Sequence, residues 1–172
     1  SKRRTGQGRT TPWTDSFETI YLELGSEWWN GIFAPYVISE PEDYGDLCNT
    51  VFGHVKGHEY FDPERIKLVI GGWAVNAHGW NVRLNRSSKH HDMISVAPYI
   101  AHALDRAEYE ALFADVEGSF RNGGSATLAG IGDMQLAVYE LNTHTTGGTV
   151  SATDVSQMAT SLGAGLAVLD QA

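Results

Sequence analysis

Apolar and polar positions alternate between two regimes along this chain. From Phe17 to Leu24, Ile66 to Trp73, Met93 to Tyr99 and Met134 to Leu141, apolar residues dominate and many are β-branched or aromatic. Such short runs predict strands buried in a sheet. Gly25, the pair Gly71-Gly72 and Pro98 punctuate the first three. Between the first two runs, Tyr44, Leu47, Cys48, Val51, Phe52 and Val55 recur at spacings of three and four, predicting an amphipathic helix from Asp43 to His58 that Ser39, Pro41 and Glu42 open. Tyr109, Leu112, Phe113 and Val116 predict another helix over Glu108 to Phe120, ended by Asn122-Gly123-Gly124. Val155, Met158, Leu162 and Leu166 predict a last one, capped by Ser151 or Thr153. The chain around Trp28-Trp29-Asn30, that carrying Asn76, His78, Trp80 and Asn81, and the glycine-rich passage from Gly130 to Asp133 read as loops.

Strands that alternate with helices imply right-handed βαβ units and a parallel sheet. Four such units are half of an eight-fold barrel, and a closed barrel takes about 200–250 residues. At 172 residues the chain is too short to close one. The expected fold class is therefore α/β, with parallel βα units in an open sheet or a half or partial TIM (β/α)8 barrel. A single domain over residues 17–172 follows a flexible N-terminal segment, 1–16, and the missing strands would come from another copy or a complementary barrel half.

Composition narrows the function. A hydrophobic content of 42% supports a real core, and 12 basic against 21 acidic residues leave a net charge of -9. That balance argues against a nucleic-acid partner, which needs a surplus of Lys and Arg. Lys2-Arg3-Arg4 with Arg9 is the only basic cluster, in a Gly- and Thr-rich opening. No apolar run is long enough to cross a bilayer and no signal-peptide pattern is present, so no membrane partner is expected and the compartment is left open. The single Cys48 lies on a helical apolar stripe and reads as a buried thiol.

The candidate chemistry lies just past two strand ends. Glu27 follows Gly25-Ser26 and precedes Trp28-Trp29-Asn30, and Glu140 closes the last apolar run before Leu141-Asn142-Thr143-His144. Parallel α/β folds build active sites at the C-terminal ends of their strands, so the two glutamates suggest a carboxylate pair. Glu23, inside its strand, reads as structural or supporting, since a carboxylate there needs a partner. His90-His91-Asp92, with His78 and His144, offers metal-ligand types, but no His-x-His or His-Glu-x-x-His spacing accompanies them and the histidine pair falls at the start of a strand. Neither a metal nor a cofactor is expected.

Tyr21-Leu22-Glu23-Leu24-Gly25-Ser26-Glu27-Trp28-Trp29-Asn30 resembles the fourth-strand motif of clan A glycoside hydrolases, retaining (β/α)8-barrel enzymes that present their acid/base in a Gly-Asn-Glu or similar triplet. Tyr139-Glu140-Leu141-Asn142 resembles the seventh-strand nucleophile region of that clan, and two further strands lie between, as the barrel requires. The resemblance covers Phe17 to about Thr149 as strands four to seven. It implies hydrolysis of a β-linked oligo- or polysaccharide, with Glu27 as acid/base, Glu140 as nucleophile and Tyr99 as the tyrosine beside the nucleophile. Trp28, Trp73 and Trp80 would be sugar-stacking platforms, and Asn30, Asn76, His78, Asn142 and His144 would contact the substrate. Ser26 departs from the clan's asparagine and is too short to replace its sugar contact. That departure keeps open a non-catalytic alternative, a carbohydrate-binding or self-associating structural half-barrel that forms a homo-oligomer.

Overall fold

The computed structural model describes residues 8, 16–35, 37–99, 118–141, 151 and 153. Four strands, β1 (Ile20–Glu23), β2 (Ile66–Gly71), β3 (Met93–Val96) and β4 (Gln135–Val138), form one sheet in the order β1-β2-β3-β4, with every neighbouring pair parallel. Each strand occupies the interior of an apolar run that predicts it. Ile20 sits opposite Ile66, Val69 opposite Met93, and Met93 opposite Gln135, so all four strand ends reach the same rim. Sequential parallel strands with helices between them make the chain an α/β protein built as part of a (β/α)8 barrel.

Helix α1 (Pro41–Lys56) carries proline in its first turn, Glu42 and Asp43 near its positive end, and His54 and Lys56 near its negative end. Tyr44, Cys48 and Phe52 recur on its buried face and join Leu68, Ile70, Ile94, Trp80 and Leu84 in the core. Burial pushes the Cys48 thiol up to about 12, which leaves it protonated and unreactive at neutral pH.

Two stretches differ from the pattern-based reading. The supposed loop after β2 is helical: a π-helical turn over Ala77–Asn81 runs directly into α2 (Val82–Ser87). Its anchoring residues include the buried polar Asn81, which an apolar-periodicity test does not register. Helix α3 (Gly118–Ile131) continues through Asn122-Gly123-Gly124 rather than stopping there. Near its other end, the glycines have separate roles. A Cβ on Gly130 would meet Val82 Cγ2 at 2.2 Å, while Gly132, at φ +66°, makes the turn that ends the helix. Residues 108–117, the opening 1–16 apart from 8 and 16, and the last helix beyond Ser151 and Thr153 lie outside the described residues.

Strand β1 is the least covered. Tyr21 is 61% and Leu22 41% exposed, because β1 pairs only with β2 among the described residues. Among those residues, no helix is long and apolar enough to cross a membrane.

Candidate active site

Where β1 ends, Gly25 adopts φ +70° and a Cβ there would fall 1.3 Å from Trp28 Nε1. Only glycine lets the Trp28 indole lie across this turn. That indole stacks on Tyr44 with centroids 5.8 Å apart. The recoil of the chain around it places Glu27 at φ 51°, a left-handed conformation that costs a non-glycine residue energy and recurs at functional sites.

Both Glu27 carboxyl oxygens are engaged. Asn30 Nδ2 donates to Oε2 at 2.8 Å, and the Tyr139 hydroxyl donates to Oε1 at 3.0 Å. Asn30 is itself oriented by its Oδ1, which accepts from the Ile32 N–H at 3.2 Å as the cap of a 3-10 turn over Gly31–Phe33. Tyr139 is fixed as β4 ends, its N–H donating to the Val96 carbonyl at 3.1 Å. Burial, then the Glu27 charge and its hydrogen bond, hold the Tyr139 hydroxyl far above the ordinary tyrosine range. Tyr99, past the end of β3, hydrogen-bonds Glu140; burial first, then that bond and the charges of Glu140 and Glu27, raise its hydroxyl as well. Two tyrosines thus stand against the glutamates that follow β1 and β4 at one rim.

A cleft of about 250 Å³ opens there, lined by Glu27, Trp29, Asn30, Trp73, Tyr99 and Tyr139 among others. Trp29 and Trp73 stack nearly parallel, 4.5 Å apart at 6°. Trp29 Nε1 donates to the Gly72 carbonyl at 3.3 Å. The Trp73 backbone is gripped by the fully buried Asn81, whose Oδ1 accepts from the Trp73 N–H at 2.7 Å while Nδ2 donates to the Trp73 carbonyl at 3.0 Å and to Thr127 Oγ1 at 2.9 Å.

Of the residues singled out in the sequence, Glu27, Asn30, Trp73 and Tyr99 meet at the cleft, and Glu140 stands exposed beside it through Tyr99. Trp80 is not a platform: it is 2% exposed and its Nε1 donates to the Gly71 carbonyl at 3.2 Å, because the helical turn folds its ring under the sheet. Trp28 likewise turns inward onto Tyr44. Asn76 starts the π turn, its carbonyl accepting from the Trp80 and Asn81 amides at 3.0 and 3.3 Å, and His78 lies exposed on that turn. Neither lines the cleft. Asn142 and His144 lie outside the described residues. The pattern-based reading overlooked Trp29, Tyr139 and Asn81. Tyr139 had a signal in its position directly before Glu140, whereas nothing local marks Asn81.

Glu23 reaches over Gly71 to Ser95, whose hydroxyl donates to Oε1 at 2.9 Å. The residue as a whole is exposed, yet this oxygen sits in a crevice where a Cβ on Gly71 would meet it at 3.3 Å. Loss of hydration there raises the carboxyl from its ordinary range, and the Ser95 bond opposes that rise. His91 lies in the core, contacted by Ser88 Oγ and Asn85 Oδ1. Among the described residues no three His, Cys, Asp or Glu side chains converge as a metal site.

No family model matches the sequence, and no curated protein matches it. Among solved structures, the fold is similar to the crystal structure of the GH51 arabinofuranosidase from Xanthomonas axonopodis pv. citri, with a TM-score of 0.52 and 16% sequence identity over 83% of this chain. The match spans 30% of that protein's chain. The likeness bears on the fold alone, that of part of an α/β barrel.

Proposed function

We propose that the chain carries the acid/base and nucleophile of a retaining glycoside hydrolase acting on a β-linked oligo- or polysaccharide. The observation that supports this most directly is the hydrogen bond from Tyr139 to Glu27 at the rim of a parallel sheet, in a tryptophan-walled cleft that Tyr99, next to Glu140, also lines. Retention requires two carboxyl groups about 5 Å apart, one attacking and one transferring the proton. In the first step a Glu140 oxygen bonds to the anomeric carbon as the glycosidic C–O bond breaks. The departing oxygen keeps the bonding electron pair and takes the proton from Glu27. In the second step Glu27 removes a proton from water, whose oxygen displaces Glu140 and restores both carboxyl groups. The stacked indoles offer the flat apolar surface that a sugar ring prefers.

Release of the phenol from 2,4-dinitrophenyl β-glycosides tests the reading, together with mass spectrometry after a 2-deoxy-2-fluoroglycosyl fluoride. The expected result is turnover by the unaltered chain, a glycosyl adduct on the peptide containing Glu140, and no adduct in Glu140→Gln. Absence of both turnover and adduct overturns it.

The exposed Tyr21 and Leu22 of β1 favour a second reading, a carbohydrate-binding half-barrel that pairs its sheet edges with another copy. It predicts a concentration-dependent increase in sedimentation coefficient and sugar binding without turnover.

A further inference from the structure

The two partners of Glu27 are chemically unequal. Asn30 Oδ1 accepts from the Ile32 N–H, so its Nδ2 faces Glu27 Oε2, and an amide NH2 only donates. A protonated Oε2 is a poorer acceptor for that amide, and the Nδ2 group cannot accept in return. The Tyr139 hydroxyl, facing Oε1, donates or accepts by rotating about its C–O bond. Oε1 is therefore the oxygen whose hydrogen-bond partner adapts to either protonation state of the carboxyl group.

We infer that Tyr139 is a positioning residue for proton transfer: its hydroxyl holds Oε1 of Glu27 in place in both protonation states and thereby couples the β4 end, one residue before Glu140, to the acid/base on β1. This inference rests on the hydrolase reading and gives Tyr139, which that reading leaves without a part in the reaction steps, a role in the proton transfer. The charged and titratable groups around the pair are Glu23 on β1, Tyr99 beyond β3, and Glu140 beside Tyr139 itself. Each of them persists in a Tyr139→Phe variant. The proton passes from the Glu27 carboxyl to the glycosidic oxygen as that oxygen gains the electron pair of the breaking bond, and the Tyr139 hydroxyl then donates to the carboxylate.

The dependence on the leaving group reads this role. A dinitrophenolate departs without a proton, whereas an alkoxide needs one. Tyr139→Phe is expected to lose at least about tenfold more of kcat/KM on an alkyl glycoside than on a dinitrophenyl glycoside. An equal loss on both substrates, or none, overturns the inference. A second measurement is independent of turnover. With 13Cζ-labelled tyrosine, the resonance missing from Tyr139→Phe belongs to Tyr139, and at neutral pH its chemical shift is expected to move in Glu27→Gln. If it stays where it is in the unaltered chain, the coupling to Glu27 is refuted even in an active enzyme. A chain that hydrolyses no glycoside, yet shows that shift, refutes the hydrolase reading and with it the proton-transfer role, while the hydrogen bond survives.

Discussion

Within the loop that follows β1, backbone conformation decides which side chains are available for chemistry. Gly25 at φ +70° admits the Trp28 indole, and the next turn sets Glu27 at φ 51°. Alanine at Gly25 would combine an unfavourable left-handed backbone with a collision against that indole. Gly25→Ala is therefore expected to cost more than about 1 kcal/mol, read as a lower denaturation midpoint, and to shift tryptophan emission to the red as Trp28 leaves Tyr44. An unchanged midpoint and emission would show that the turn does not depend on glycine. The prominence of Glu27 was legible in the sequence, because a glycine, a carboxylate and two indoles follow an apolar run. Which indole would face the cleft was not legible. Side-chain direction alternates in a strand and rotates by 100° per residue in a helix, but a left-handed kink obeys neither period. For that reason Trp28 went to the core and Trp29 to the cleft.

The central strands β2 and β3 were legible because a buried parallel strand is apolar throughout, and the edge strands β1 and β4 because they too are short apolar runs. Helices were less so when polar side chains or glycines did the packing. Asn81 shows why: it has no apolar surface to contribute, yet it connects the π turn to both Trp73 and α3 through three hydrogen bonds. Asn81→Ala leaves the Trp73 N–H and C=O and the Thr127 hydroxyl without this partner. The expected cost is about 2–4 kcal/mol; if the chain binds sugar as proposed, that affinity falls in the folded fraction as Trp73 loses its orientation. Isothermal titration at a temperature well below the midpoint separates the two effects. Tyr44 joins elements in a similar way, donating to the Leu24 carbonyl at 2.7 Å and accepting from the Gly71 N–H at 3.1 Å. Tyr44→Phe preserves the stacking with Trp28 and Trp80 but leaves both backbone groups unpaired. A loss of about 1–3 kcal/mol is expected, measured by urea denaturation; a loss near zero would mean that the two strand ends are satisfied in another way.

For the whole molecule, the fold class followed from the alternation of strands and helices, whereas the pH dependence of stability follows from a histidine whose burial no periodicity announces. His91 is 7% exposed, and Asn85 Oδ1 faces its Nε2 at 2.9 Å while Ser88 Oγ faces Nδ1 at 3.0 Å. Asn85 Nδ2 donates to the Ile131 carbonyl, which turns Oδ1 toward the ring. Nε2 therefore carries the hydrogen of a neutral imidazole, and Nδ1 accepts. Burial, against the opposing charge of Asp92 and aided by that of Lys56, pushes His91 down to about 4 from its ordinary 6.5. Between those two values the unfolded chain binds a proton that the folded one refuses, so the contribution is intact above about 6.5, falls as the pH drops toward 4, and is level below. At about 1.4 kcal/mol per unit, the loss is of order 3 kcal/mol. Glu23 acts in the opposite sense: its raised carboxyl contributes most at low pH and loses that contribution as the pH rises past 4.5. Comparing the unaltered chain with His91→Gln isolates the histidine. The difference in unfolding free energy between the two is expected to narrow steadily from pH 7 to pH 4, since glutamine keeps a donor and an acceptor but cannot take up the proton. A difference that is constant over this range would place the acid sensitivity of the fold elsewhere.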